Sequence, residues 1–182
     1  MKALLILDIQ NDFTSSTAKL PVDPNQAREI IANINKLTAY TQLNGLTPIY
    51  IGNEFSRNDI LNIFRNFAAI IGSEGCKIDE RLNVVNNNYF SKNRSSAFTS
   101  KRLTAFLKLH NADELYIAGL YGEACVWATV KDAIKLGYRV TVLSDCIASK
   151  NDKKRKSVIE KYKKRGVCVL PGQMIGKTSD VL

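Results

Sequence analysis

The feature that most constrains the fold is an alternation of short apolar runs with segments of helical periodicity along the whole chain. The predicted strands lie in the stretches ALLILDI, TPIYIGN, RLNVVNNNYFS, ELYIAGL, RVTVLSD and GVCVLP. The predicted helices lie in DPNQAREIIANINKLTAYTQLNG, NDILNIFRNFAAIIG, SKRLTAFLKLHNA, EACVWATVKDAIKLG and KNDKKRKSVIEKYKKRG. Elements in this order form strand–helix–strand units with right-handed crossovers, which build a mostly parallel sheet. We therefore predict a single-domain, doubly wound α/β fold over residues 1–182, with helices on both faces of the sheet.

Capping residues support the predicted helix boundaries. Asp23 is the expected N-cap of the first helix, Pro24 takes its first position, and Gly45 follows its end. The second helix is expected to begin near Asn58 or Asp59, and Gly137 is expected to close the fourth.

Much of the net charge of +9 comes from one predicted helix near the C-terminus. In KNDKKRKSVIEKYKKRG, lysine and arginine are opposed only by Asp152 and Glu160. One interpretation is a surface that binds nucleic acid or another acidic partner. The other is a solvated helix with an apolar stripe of Val158, Ile159 and Tyr162. We favour the solvated helix and expect no nucleic-acid partner, because neither interleaved aromatic residues nor a known binding motif accompanies the charge.

The first residues, MKALLILDIQNDF, do not have the pattern of a secretory signal. Their apolar run is short, polar residues follow it directly, and a small-residue cleavage site is missing. No run of the sequence reaches the length of a membrane span. We therefore expect a cytoplasmic protein with no membrane partner and with free thiols at its four cysteines. These are Cys76, Cys125, Cys146 and Cys168.

The chain has a single histidine, His110. This excludes His-rich zinc centres and leaves one candidate for a histidine-based triad. His110 lies at the end of a predicted helix, where interaction with the helix dipole favours a structural role.

Polar side chains follow several predicted strands at their carboxyl ends, the edge where open α/β sheets bind ligands. Asp8 follows the first strand, Lys92 follows the third, and Cys125 comes shortly after the fourth. Asp145 and Cys146 follow the fifth. The sequence therefore predicts that a carboxylate, an ammonium and a thiol converge on one edge.

These groups suit nucleophilic catalysis by a thiol. Cysteine attacks as the thiolate, and both a helix N-terminus and a nearby cation lower the pKa of a thiol. We therefore expect the start of its helix and Lys92 to lower the pKa of Cys125, with Asp8 as the base. Backbone N–H groups of the turn 120–125 would hold an oxyanion, which gives acyl transfer through a thioester.

Each of these residues also has a structural interpretation when it is taken alone. A buried cysteine in a helix often belongs to the core, and an aspartate at the end of a strand often caps a turn. Cys146 is the rival nucleophile, but it ends a strand and does not start a helix, so its thiolate would be less stabilised.

Four stretches resemble a known family. LLILDIQNDF is similar to the opening of the isochorismatase-like cysteine hydrolases, which include nicotinamidases and N-carbamoylsarcosine amidohydrolases. GSEGCKIDERL resembles their glycine-bearing loop, and YFSKNRSSAF resembles the segment with their catalytic lysine. LYIAGLYGEACVWATVKDAIKLGYRVTVLSDCIAS resembles the segment with their nucleophile. The matches follow the family's order and span most of the chain.

The resemblance implies a catalytic triad of Asp8, Lys92 and Cys125. Asp8 would take the thiol proton and pass it to the leaving amine, while Lys92 would stabilise the thiolate and orient the aspartate. The cis peptide of the family falls at Leu120–Tyr121. Its oxyanion hole falls at the backbone N–H groups of Tyr121 and Cys125.

The resemblance also implies three substrate-binding residues. Phe13 matches an aromatic residue that lines the family's pocket. Tyr121 and Gly122 replace a small residue and a threonine next to the nucleophile, and Tyr121 is expected to add bulk at the pocket mouth. Asp145 matches a family aspartate whose role we interpret as structural.

The region after the second strand departs from the family pattern. Nicotinamidases carry an aspartate and histidines for a metal there, whereas this chain reads YIGNEFSRND, with Asn53 and Phe55 where ligands would fall. We therefore expect neither a metal site of the family type nor any other cofactor.

Together these features predict a metal-independent cysteine hydrolase that cleaves the C–N bond of a small-molecule amide or carbamoyl substrate. The family commonly forms dimers or larger assemblies, so the resemblance implies a homo-oligomer. Two alternatives stay open. One is an isochorismatase-type vinyl-ether hydrolase with Asp8 as the acid. The other is a non-catalytic binding protein that uses the basic segment 150–165 on nucleic acid.

Overall fold

The computed structural model describes residues 1–39 and 45–175, which are organised around a parallel sheet of six strands. The chain winds outward from β1 through β2 to β3, and then from β4 through β5 to β6. Every neighbouring pair is parallel, in the order β3-β2-β1-β4-β5-β6. This topology confirms the predicted doubly wound α/β fold. The strands are β1 Lys2–Leu7, β2 Leu46–Asn53, β3 Tyr89–Lys92, β4 Glu114–Gly119, β5 Arg139–Ile147 and β6 Cys168–Leu170.

Helices connect most of the strands, and a π-helical turn, Gly122–Val126, leads directly into one of them. Asp23 caps the helix that begins at Pro24, as predicted. Its Oδ1 accepts hydrogen bonds from the backbone N–H groups of Asn25 and Gln26, at 2.9 and 3.1 Å. The predicted end of that helix falls on residues 40–44, which lie outside the described residues. The α-helices are α1 Asn11–Thr14, α2 Pro24–Ala39, α3 Lys101–Leu109, α4 Trp127–Lys135 and α5 Asp152–Lys164. Short 3₁₀ turns are Ile60–Arg65, Glu74–Cys76, Ala97–Thr99 and Gly172–Met174.

Alternate residues of the strands point to opposite faces of the sheet, and each face has its own apolar cluster. Leu4 and Ile6 of β1 belong to the cluster that includes the buried face of α2. Leu5 and Leu7 belong to the other cluster, which buries apolar residues of α3, α4 and α5. Helices therefore cover both faces, as predicted, and leave the carboxyl edge of the strands for a binding site.

The predicted helix in NDILNIFRNFAAIIG is wrong. The structure has only the 3₁₀ turn Ile60–Arg65, whose N-cap Asp59 accepts a hydrogen bond from a backbone N–H of the turn. Asn66, Phe67 and Ala69 then adopt left-handed conformations, with φ of 51°, 54° and 52°, so no helix can continue through them. The apolar periodicity that suggested a helix does not mark a core face here, because most of its large apolar side chains are exposed.

The basic segment forms α5, whose buried residues are Val158 and Tyr162. The side chain of Arg155 donates to both carboxylate oxygens of Glu29, at 2.7 and 3.2 Å. Two residues of the predicted apolar stripe are thus core residues, and the remaining charges of the helix are mostly solvated. None of the helices described here is both long and apolar enough to cross a membrane.

Candidate active site

Asp8, Lys92 and Cys125 lie together at the carboxyl edge of the sheet. Asp8 follows β1, Lys92 is the last residue of β3, and Cys125 belongs to the π-helical turn that follows β4. β1 and β4 are neighbours, but β2 separates β3 from β1. A side chain from β3 must therefore pass the end of β2 to reach Asp8, and lysine is long enough to do so.

The Lys92 ammonium is the centre of the site. Its Nζ donates to Asp8 Oδ2 at 2.9 Å and to Asn53 Oδ1 at 2.7 Å, and it lies 3.5 Å from Cys125 Sγ. The Lys92 side chain is 0% exposed and that of Asp8 is 1% exposed. An ammonium has three donors, and these three contacts use all of them. The cation is therefore fixed between the carboxylate and the sulfur.

The backbone of Asp8 is strained. Its φ of 59° lies in the left-handed region, which non-glycine residues seldom occupy. Its N–H donates to the carbonyl of Ile51 at 2.7 Å, and its carbonyl accepts from the N–H of Gln10 at 2.8 Å. The end of β2 and the start of α1 thus hold the residue in a conformation of the kind that clusters at functional sites.

The Asp8 carboxylate is arranged to accept a proton. Burial raises its pKa above the ordinary value, while the charge and the hydrogen bond of Lys92 act in the opposite direction. Its second oxygen, Oδ1, is buried and accepts no hydrogen bond from the part of the chain that is described. A free acceptor atom and a raised pKa are what a general base needs.

The Cys125 thiol differs from the sequence-based expectation. Burial, followed by the negative charge of Asp8, raises its pKa to about 12, and Lys92 only partly offsets these effects. The predicted lowering of this pKa is therefore wrong for the resting site. Desolvation disfavours a buried thiolate, and here it outweighs the effect of Lys92. The resting Cys125 side chain is therefore a protonated thiol, and attack by its sulfur would require a base.

A cavity of about 260 Å³ gives access to Cys125. Phe13 and Tyr121 form part of its apolar wall and pack edge to face, with ring centroids 6.2 Å apart. The Tyr121 hydroxyl donates to the carbonyl of Leu20, another lining residue. Tyr121 is buried, so it shapes the wall of the cavity and not its mouth. The complete lining is Asp8, Phe13, Leu20, Asn53, Phe55, Arg65, Arg94, Ser95, Leu120, Tyr121, Ala124 and Cys125.

Gly122 is the first residue of the π-helical turn that contains Cys125, but it does not line this cavity. Its N–H donates to the carbonyl of Ala148 at 2.8 Å, and its carbonyl accepts from the Tyr162 hydroxyl. A Cβ at this position would stand 3.1 Å from a methyl group of Val158. The structure thus brings Gly122 against α5 and brings Phe13 and Tyr121 to the cavity.

The chain just before Cys125 contains the predicted cis peptide at Leu120–Tyr121. The backbone N–H of Tyr121 has no acceptor among the residues that the structure describes. This N–H lies beside the cavity lined by its own side chain and by Cys125. An unused donor at this place can receive a negatively charged oxygen.

The residues after β2 do not fit the metal site that the resemblance implies. Asn53 Oδ1 accepts from Lys92, and Glu54 accepts from the Tyr89 hydroxyl at 2.9 Å. The side chain of Phe55 has no nitrogen, oxygen or sulfur atom that could bind a metal ion. Within residues 1–39 and 45–175, no group of three or more His, Cys, Asp and Glu side chains is placed to hold a metal ion. The side chains at these positions therefore do not fit a metal ion.

Several residues of the site were missed by the sequence reasoning. Asn53 was considered only as a lost metal ligand, but it holds the Lys92 ammonium. Arg94 and Ser95 follow β3 directly, so the rule that located Lys92 could also have found them. Arg65 comes from the segment that was predicted to be a helix, and no periodicity places it at the cavity.

The other candidate residues lie apart from this centre. Cys146 is fully buried, and burial raises its pKa. Its neighbour Asp145 accepts from the N–H of Gly172 at 2.6 Å, which fits a structural role. The His110 ring lies 4.3 Å from the ring of Phe106, also as a structural residue would. Cys76 does not line the cavity either, but its thiol donates to the backbone carbonyl of Asn53, a lining residue, at 3.5 Å.

Comparison with known proteins gives the same family as the residues above. The family model described as "Isochorismatase domain" matches residues 2–173. An Arabidopsis thaliana protein named as a probable inactive nicotinamidase is 30% identical over 159 residues, which cover 81% of this chain and 80% of that protein.

Solved structures share the fold. The crystal structure of an isochorismatase-like hydrolase from Alkaliphilus metalliredigens has a TM-score of 0.90 at 23% identity, over 97% of this chain and 98% of that one. The nicotinamidase/pyrazinamidase PncA of Bacillus subtilis has a TM-score of 0.80 at 27% identity, over 93% of this chain and 98% of that one. The chain therefore belongs to the isochorismatase family.

Proposed function

We propose that this protein is a cysteine amidohydrolase that cleaves the C–N bond of a small amide or carbamoyl compound without a metal ion. One observation carries the proposal: a buried ammonium contacts both a carboxylate and a thiol at the wall of a cavity. Membership of the isochorismatase family and the likeness to a nicotinamidase favour amide chemistry. The cavity volume of about 260 Å³ suits a small molecule.

In the first half of the reaction, Cys125 Sγ attacks the carbonyl carbon of the amide. Asp8 takes the thiol proton as the new S–C bond forms, so the raised pKa of the thiol does not prevent attack. The carbonyl oxygen becomes an oxyanion, for which the N–H groups of Tyr121 and Cys125 are the proposed donors. The C–N bond then breaks, Asp8 returns the proton to the leaving nitrogen, and ammonia and a thioester result.

In the second half, water hydrolyses the thioester. Asp8 takes a proton from the water as its oxygen attacks the carbonyl carbon, and the C–S bond then breaks. The sulfur leaves and recovers the proton from Asp8, which restores the resting thiol. The Lys92 ammonium contacts both groups, so it stabilises the negative charge of the carboxylate and the charge that develops on the sulfur.

Ammonia release from a panel of small amides tests the proposal. The purified protein, treated with a chelator and then dialysed, is expected to release ammonia from at least one amide or N-carbamoyl compound. Its rate is expected to stay within about twofold of the untreated rate, because residues 1–39 and 45–175 offer no ligand set of the family type. Loss of activity on chelation, with recovery on addition of a divalent metal, would contradict the metal-independent mechanism.

The pH dependence of kcat/KM for an uncharged amide is a second test. Asp8 must be ionised to act as the base, and burial raises its pKa above 3.8. Activity is therefore expected to rise with pH along a limb whose midpoint lies above that value. The pKa of Cys125 is raised from 9.0 to about 12, so no further rise is expected near pH 9. A single rise centred near pH 9 would instead indicate a thiol that ionises independently of Asp8.

A further inference from the structure

The cavity that reaches Cys125 is also lined by two arginine side chains, Arg65 and Arg94. Neither has a place in the bond-breaking steps proposed above. They differ in how firmly the protein holds them, which separates a structural guanidinium from one that is available to a ligand.

Arg65 is held by the protein. Its Nη1 donates to Asp59 Oδ2 at 2.9 Å, and its guanidinium lies over the Phe55 ring, 3.9 Å from the centroid. The hydrogen bond from Arg65 lowers the pKa of Asp59, so that carboxylate stays ionised. Its side chain is only 20% exposed. One arginine of the cavity is thus neutralised and fixed in place.

Arg94 is far less engaged. Its side chain is 60% exposed, and Nη1 lies 3.8 Å from the same Asp59 oxygen. Its only hydrogen bond in the described part of the chain goes from Nη1 to the carbonyl of Asn93, at 3.3 Å. Arginine carries five N–H donors in a planar fork that matches a carboxylate, and most of these donors remain unused here.

The charges around the cavity do not cancel. Lys92 pairs with Asp8, and Arg65 pairs with Asp59, but Arg94 shares a carboxylate that is already bonded. Three cationic groups thus meet two carboxylates, and the surplus is positive. Among the described residues that line the cavity, Asp8 is the only acidic one, and its partner is Lys92. The remaining wall is largely apolar, so a ligand's negative charge has one clear partner.

We propose that Arg94 binds a carboxylate of the substrate, so that the enzyme prefers amides or carbamoyl compounds with a carboxylate at the far end of the molecule. The inference rests on the proposed function, since it places the scissile amide at Cys125 and the carboxylate at Arg94. A bidentate arginine–carboxylate contact is stronger and more directional than a contact between neutral groups. Arg94 is therefore a specificity-determining residue.

Matched substrates test this inference. Succinamic acid and N-carbamoylglycine each carry an amide or carbamoyl group and a carboxylate, and their methyl esters lack only the charge. The ratio of kcat/KM for ammonia release, acid over ester, is expected to exceed about 10 and to fall about 10- to 100-fold in Arg94→Gln. Arg94→Lys keeps the charge without the fork and is expected to give an intermediate ratio. Arg102→Gln removes an exposed guanidinium of α3 and is the matched control, with the ratio of the unmodified protein.

Direct binding separates this inference from the proposed function. Calorimetric titration of the Cys125→Ala protein with N-carbamoylglycine is expected to show binding that Arg94→Gln weakens by about 10-fold or more. If binding depends on Arg94 but the unmodified protein shows no turnover, the carboxylate site at Arg94 is supported and the proposed hydrolysis is rejected. Turnover with equal ratios in the unmodified and Arg94→Gln proteins would retain the hydrolysis and overturn the carboxylate site.

Discussion

Replacing Cys125 with serine is expected to lower kcat/KM for ammonia release by at least about 10⁴-fold, since loss of the nucleophile in a comparable three-residue site costs up to roughly 10⁶-fold. A serine hydroxyl is much less acidic than a thiol, so Asp8 would have to remove a far more tightly held proton. The site would otherwise keep its shape, because the hydroxyl replaces the sulfur at the same position. The measurement is the initial rate of ammonia release, with the unfolding midpoint as a check on folding.

Cys168→Ser is the matched control for this prediction. Cys168 is an exposed free cysteine on β6, so its replacement removes a thiol without touching the cavity. Its activity is expected to stay within about twofold of the unmodified protein, as is usual for surface substitutions. For the unmodified protein, mass spectrometry of a rapidly quenched reaction is expected to show an acyl group attached to Cys125. Amide hydrolysis that survives Cys125→Ser would remove the thioester mechanism. This result would favour a reaction in which Asp8 alone transfers protons, as in vinyl-ether hydrolysis.

Replacing Lys92 with methionine is expected to affect both stability and activity. The side chain is fully buried, and so is the Asp8 carboxylate that it contacts at 2.9 Å. Removing one partner of a buried ion pair leaves the other charge uncompensated, which costs about 3–5 kcal/mol in the free energy of unfolding. Turnover is expected to fall by about 10²- to 10³-fold, as when one preorganised electrostatic contact is lost. Urea unfolding and initial rates measure the two effects.

The loss of stability in Lys92→Met is expected to grow with pH. Without the ammonium, the pKa of buried Asp8 in the folded protein rises further above its value in the unfolded chain. The folded state then binds a proton more tightly than the unfolded state. The variant is therefore closest to the unmodified protein at low pH and loses stability as Asp8 must ionise.

A double variant separates the two effects of Lys92. Asp8→Asn combined with Lys92→Met removes both charges and leaves a neutral amide beside a neutral side chain. This protein is expected to recover much of the stability that the single variant loses, since no charge remains buried without a partner. It is expected to stay inactive, because the base is missing. Equal urea midpoints for Lys92→Met and the unmodified protein would show that the ion pair is not a structural element.

The sequence predicts that Asp8, Lys92 and Cys125 converge because topology alone brings them together, whereas their selection as a triad is what the family resemblance implies. Carboxyl ends of parallel strands meet at one edge, so Asp8, Lys92 and Cys125 converge although they are far apart along the chain. The apolar runs predict where the strands lie, and the ends of the strands define the carboxyl edge of the sheet. The doubly wound order of the six strands agrees with the expectation from the apolar runs. The cis peptide at Leu120–Tyr121 agrees with what the family resemblance implies.

Features that depend on tertiary packing could not be predicted in the same way. The sign of the pKa shift at Cys125 follows from how much of the thiol is desolvated, and no local motif contains that quantity. The apolar pattern after Asp59 suggests a helix, but left-handed residues from Asn66 onward are incompatible with one. Arg65, which comes directly before them, lines the cavity. Arg65 and Arg94 share Asp59 only because two separate loops meet there.

The left-handed backbone conformation of Asp8 limits how this position can evolve. Glycine would occupy this φ of 59° without steric cost, so the position is one where a single substitution removes strain. That substitution would also delete the proposed base. It would also leave the buried Lys92 ammonium without its carboxylate, so the relief of backbone strain comes with the loss of a buried ion pair. Stability and turnover therefore both favour the strained aspartate, and improvements in robustness have to arise elsewhere in the chain.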